Sequence, residues 1–194
     1  MKLVKYSIFS LLFISIFSLA GVAKAGFNEN VAGTDCSPVF GIAVSGQSTQ
    51  AGCASYQTQQ YGAVGRAYDV RLYYRNTGNN DATGVTAGIV PSSSGNFSGF
   101  LNSSAGGVSG TANLTMPANS YLEFNGAKVY QRQGSDNPVV IKEITTLAEL
   151  RSFSMNNIPS YLKCASTGNS FCYQGVIVAT FSVKQDQAPA PIIC

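Results

Sequence analysis

Apolar and polar residues alternate with a period of two along much of this chain. In YDVRLYYR, residues 68–75, Tyr68, Val70, Leu72 and Tyr74 fall on one side, and Asp69, Arg71, Tyr73 and Arg75 on the other. Strand side chains point to alternate faces, so the run predicts a half-buried strand with a charged outer face. NTGNND, residues 76–81, is built from residues that tolerate positive φ or close Asx turns, and predicts a reversal. ATGVTAGIVP, residues 82–91, predicts the returning strand, with Val85 and Ile89 on one face. Pro91 stops it because it cannot donate to a ladder. Further short apolar patches predict strands at Val39–Val44, Ala112–Met116, Tyr121–Phe124, Lys128–Arg132 and Val139–Lys142, with QGSDNP as a hairpin turn. Residues 176–183 are apolar on both faces, which predicts a central strand. The polar stretch 47–65 predicts a loop. One helical signal stands out. Thr146 and Glu149 have capping-box spacing ahead of Leu150 and Phe153, predicting a helix over Leu147–Ser152 that crosses between sheets. Many short strands with a single short helix predict an all-β sandwich.

The first 25 residues have a different pattern. Lys2 and Lys5 precede an apolar run from Ile8 to about Val22, and Ala23 and Ala25 place small residues before Gly26. This is the layout of an export signal cut before Gly26. A retained anchor is the rival, but Ser10, Ser15 and Ser18 interrupt the run, which is short for a bilayer span of about 20 residues. The expected organisation is a signal peptide at 1–25, a sandwich domain at 26–185 and a Pro/Ala-rich linker or tail at 186–194. The expected location is secreted or on the cell surface, with no membrane insertion after signal removal.

Loss of the signal changes the charge. The chain has 12 Lys and Arg against 9 Asp and Glu, and three of the lysines (Lys2, Lys5 and Lys24) lie in the signal. The remainder is formally neutral and has no basic cluster, so nucleic acid is not an expected partner. Export also makes disulfides plausible. Four of the five cysteines (Cys36, Cys53, Cys164, Cys172 and Cys194) can pair in three ways. The local pairing Cys36–Cys53 and Cys164–Cys172 is favoured, because each pair closes a polar, Gly/Ser-rich loop. Each closure is worth about 2–4 kcal/mol in the chain-entropy account. Cys194 is left over after QAPAPII, which has the composition of a linker into further protein.

Candidate chemistry is sparse. The chain has no histidine, which removes His-based nucleophilic triads and His-based metal sites. No Ser–Lys chemistry is expected from Lys128, Lys142, Lys163 or Lys184. Most of the carboxylates lie in turns or alternate outward on strands, as solvated surface groups do. Asn76, Asn79, Asn80 and Asp81 cluster oxygens as a Ca²⁺ site would. Only one of them is charged, so the knot is expected to be a turn, with no metal and no cofactor. Phe97 and Phe100, surrounded by Gly and Ser in GNFSGFLN, are the candidate ligand-facing aromatics.

The run YDVRLYYRNTGNNDATGVTAGIVP resembles the bacterial surface-protein repeats of the DUF11-type, or conserved repeat, family. Asn76, Gly78, Asp81, Ala82, Val85 and Pro91 fall in that family's cadence. SYLEFNGAKVY, TTLAEL, NNIPS and CYQGVIVATFSV are similar to its second half, so the resemblance covers Ala67–Lys184. The chain departs from the family in its five cysteines and in the ASTGNSF insert. The resemblance implies an immunoglobulin-like sandwich, often in tandem, on an exported protein, with no catalytic residues to carry over. The sequence therefore points to a non-catalytic structural or adhesive module, the first part of a longer surface protein. Its expected partners are other surface modules or cell-envelope glycans. The alternative is a carbohydrate-binding module using Phe97, Phe100 and nearby Asn side chains.

Overall fold

A computed structural model of the chain describes residues 26–27, 38–46, 55–133, 137–168 and 171–186. Residues 1–25, expected to be a signal, lie outside the described residues, as do Cys36, Cys53, Cys194 and the tail from 187. The fold is an all-β sandwich of two five-stranded sheets. In chain order the strands are β1 (Phe40–Val44), β2 (Gln59–Tyr61), β3 (Ala67–Arg75), β4 (Thr86–Pro91), β5 (Asn96–Ser103), β6 (Gly106–Thr115), β7 (Ser120–Gln133), β8 (Asn137–Ile144), β9 (Phe153–Ser154) and β10 (Gln174–Gln185). Helix α1 spans Leu147–Arg151 and helix α2 spans Tyr161–Ser166. The first sheet runs β1-β3-β10-β7-β8 and the second β2-β6-β5-β4-β9. All pairings are antiparallel except β2 with β6.

The alternation in 68–75 survives, but its outer face is not a solvated one. Tyr68, Val70, Leu72 and Tyr74 enter the core between the sheets. On the other face Asp69, Arg71, Tyr73 and Arg75 are also buried, Arg71 completely. Arg71 stacks its guanidinium 4.1 Å from the centre of the Tyr56 ring and donates to the Pro38 carbonyl. Burial lowers its pKa, and the neighbouring Tyr56 and Tyr73 act against that shift. The polar stretch read as a loop thus covers this end of the strand. It also joins the layers: Gln57 exchanges backbone hydrogen bonds with Ile42 of β1, and the chain then enters the second sheet as β2.

Strand β10 lies between β3 and β7, at the centre of its sheet, as its two apolar faces suggest. Ile177, Ala179, Phe181 and Val183 face the core, while Val176 and Val178 meet Tyr73 and Tyr130 on the outside. The two strands expected at 121–124 and 128–132 are one strand with a bulge. The register shifts opposite Thr180 and Phe181, leaving Asn125 without an opposite residue, and Gly126 takes φ +130° there. An extra residue flips the alternation, so Leu122 and Phe124 face inward before the bulge, and Ala127 and Val129 after it. On the covered side, Phe40 crosses from β1 to lie over Gly99 and Gly110, which are paired across β5 and β6. A Cβ on Gly99 would run into that ring, and one on Gly110 into the Phe40 Cβ.

Candidate functional site

The polar knot after β3 is a turn, and it is clamped to a distant part of the chain. Asn76 is fully buried; its side-chain amide donates to the carbonyls of Asn80, Ile158 and Pro159, and its Oδ1 accepts from the Gly78 N–H. Asp81 accepts from the Ser160 backbone N–H at 3.0 Å and forms an ion pair with Lys163. The Lys163 hydrogen bond, aided by the Ser160 N–H, holds the Asp81 carboxyl below the usual carboxylate range against a smaller opposing effect of burial. These oxygens are therefore engaged in joining the β3–β4 turn to the NNIPS segment and the start of α2. No group of three or more metal-ligating side chains occurs among the described residues.

Helix α2 was not foreseen, although its start signal is present: Ser160 is the N-cap, its hydroxyl accepting from the Lys163 N–H at 3.2 Å. Ser160 and Lys163 also stand at S-x-x-K spacing, contrary to the expectation that no lysine here could serve Ser–Lys chemistry. The geometry gives both residues other work. The hydroxyl caps the helix in a buried position, and the ammonium is held by Asp81. Cys164 is buried and forms the expected disulfide with Cys172, with Cα atoms 5.6 Å apart. The other expected pair, Cys36–Cys53, lies outside the described residues. Aromatic rings collect at this pole. Tyr161 meets Tyr173 edge-on at 5.2 Å, Arg75 lies over Tyr173, and Arg132 lies over Phe171 at 4.5 Å. Tyr161 and Leu162 are exposed.

The carboxylates on the outer face of the first sheet each meet a hydroxyl or an ammonium. Thr180 donates to Asp69 at 2.7 Å, Lys128 faces Glu143 at 3.3 Å and Lys184 faces Glu123 at 3.2 Å. A groove of about 470 Å³ lies here, bordered by Asp69, Lys128, Tyr130, Glu143 and Thr180. Lys142 reaches Glu149 of α1 at 2.9 Å.

The expected ligand-facing aromatics are corrected by the structure. They lie on a strand, β5, where no strand was predicted, and adjacent odd and even positions take opposite faces. Phe97 points inward with 2% exposure and meets Phe181 edge-on at 5.1 Å, in a group that includes Phe124. It cannot face a ligand. Phe100 points outward but is half-buried, its ring lying over Gly88 of the neighbouring strand.

Beyond Phe100, the outward side chains of β5 and β6 are polar and uncharged. Asn96 stands opposite Asn113 and Ser98 opposite Thr111. Asn113 donates to the Asn96 side-chain oxygen at 2.8 Å, Asn96 donates to the Ser94 hydroxyl at 2.9 Å, and Thr115 donates to the Asn113 oxygen at 3.2 Å. Beside them a groove of about 530 Å³ runs from Gln59 across to Val90 and Pro91. Tyr61, two residues along β2 from Gln59 and so on the same face, is 82% exposed. Its backbone is held from beneath, because the buried Tyr68 hydroxyl donates to the Tyr61 carbonyl and accepts from the Ala63 N–H. Tyr61 was the aromatic signal missed in the sequence. It stood in a segment taken for a loop, whose strand is only three residues long. Compared with models of protein families, with curated proteins and with solved structures, the chain matches none.

Proposed function

We propose that this protein is an exported structural or adhesive module that works through its surfaces and carries out no reaction. The observation that supports the reading best is the Cys164–Cys172 disulfide, which pins the α2 pole of the sandwich. Such bonds persist in oxidising compartments, in keeping with the leader-like first 25 residues. The carboxylates Asp69, Asp81, Glu123, Glu143 and Glu149 each have a hydroxyl or ammonium partner, the ordinary state of structural carboxylates. The likeness of Ala67–Lys184 to the DUF11-type repeats suggests a place in a tandem array. Strand β8 would serve contacts with such neighbours. Among the described residues it is paired on one side only, and it exposes Val139 and Val140.

Fractionation of a bacterial host making the full chain tests this reading. The expected result is protein in the envelope or medium whose first residue is Gly26. Protein that stays in the cytosol with Lys2 and Lys5 still attached overturns it.

A further inference from the structure

We propose that the outer face of the second sheet, around Tyr61 and Asn113, binds neutral saccharides. This names a partner class for the module proposed above, but it stands on different residues from those that support export. The groove is of a size that small-ligand sites commonly have, and every side chain bordering it is uncharged. A ligand bearing a net charge would find no compensating group there. A ligand dense in hydroxyls would find matching donors and acceptors in Gln59, Asn96, Ser98, Thr111 and Asn113.

The donors are fixed in advance. The Ser94–Asn96–Asn113–Thr115 chain sets the plane of both amides and uses one hydrogen of each amide nitrogen, leaving the second for a ligand. Preset groups lose less freedom on binding than mobile ones. Tyr61 supplies an apolar ring at the end of this row, on a backbone anchored by Tyr68, so its exposed face can lie against the C–H side of a sugar ring. Hydroxyl-matching amides beside an exposed aromatic on an anchored backbone give both halves of saccharide recognition on one sheet face. The glycan surface expected at Phe97 and Phe100 is thus relocated to β2, β5 and β6.

The test is a printed array of neutral glucans, mannans, xylans and galactans, with sialylated and sulfated oligosaccharides beside them, probed with the labelled full chain. The expected result is retention on neutral spots. Tyr61→Ala should weaken binding about tenfold and Asn113→Ala several-fold, while Tyr161→Ala, at the α2 pole, should leave it unchanged. Tyr61 lies outside the packing, so its variant keeps the melting temperature and isolates the contact. No retention on any neutral spot, a preference for the acidic glycans, or equal binding by Tyr61→Ala overturns the proposal. A blank array would remove the saccharide and leave the exported module standing, since Gly26 and the disulfide are measured separately.

Discussion

Single residues separate packing from surface most sharply at Phe97 and Asp81. Phe97 closes an aromatic group with Phe181 and Phe124 in the middle of the core. Its truncation leaves a cavity that neighbouring strands cannot fill, so Phe97→Ala is expected to cost about 3–5 kcal/mol in urea denaturation. Phe100→Ala, on the half-buried outer face, should cost distinctly less; equal losses would show that Phe97 is not in the core. Asp81 has a pKa lowered chiefly by the Lys163 hydrogen bond. A carboxyl whose folded pKa lies below its unfolded one adds stability above the unfolded value, and that stability is lost as pH falls through the folded value. Asp81→Asn is therefore expected to lower the melting temperature at pH 7. The gap from the native chain should narrow below about pH 4, the ordinary carboxylate value. The ion pair is partly solvated, so the loss at pH 7 should be about 1 kcal/mol or less. A gap that widens on acidification contradicts the clamp.

At the scale of elements, the sequence was legible where alternation ran unbroken. Residues 68–75 and 176–183 gave β3 and the central β10, and Thr146 with Glu149 gave α1. The Thr146 hydroxyl accepts from the Glu149 N–H at 3.2 Å, and α1 carries the chain from β8 of one sheet to β9 of the other. Thr146→Ala should cost about 1 kcal/mol, seen as a drop of about 2–4 °C in melting temperature for a domain of this size. No change would mean that the helix is held by Leu150 alone. Legibility failed where a local rule had a second reading. Phe-Asn-Gly at 124–126 looked like a turn between two strands and is a bulge within one. The Gly and Ser around Phe97 and Phe100 suggest exposed aromatics. These small residues belong to a strand, and one of those glycines, Gly99, makes room for Phe40. Only that tertiary contact explains a glycine in mid-strand, so composition alone could not have revealed β5. Tyr61 was hidden because three residues are too few to show a period.

For the whole molecule, two sheets bury one continuous core, and the α2 pole is stapled from three directions. Asn76 ties it to the β3 turn, Asp81 meets the start of α2, and Cys164–Cys172 closes the loop beyond it. The spacing of Cys164 and Cys172 around a polar loop made the disulfide legible in the sequence. The Asn76 and Asp81 contacts were not, because they join residues about 80 positions apart. Replacing both Cys164 and Cys172 with Ala should cost about 2–4 kcal/mol, read as a lower urea midpoint; native-like stability would show that the loop needs no crosslink. The most direct test of a stapled, exported sandwich is peptide mapping without reduction, on full-length protein recovered from the envelope or medium of a bacterial host. The expected result is a linked peptide pair joining Cys164 to Cys172. Complete alkylation of both thiols without prior reduction would contradict the account.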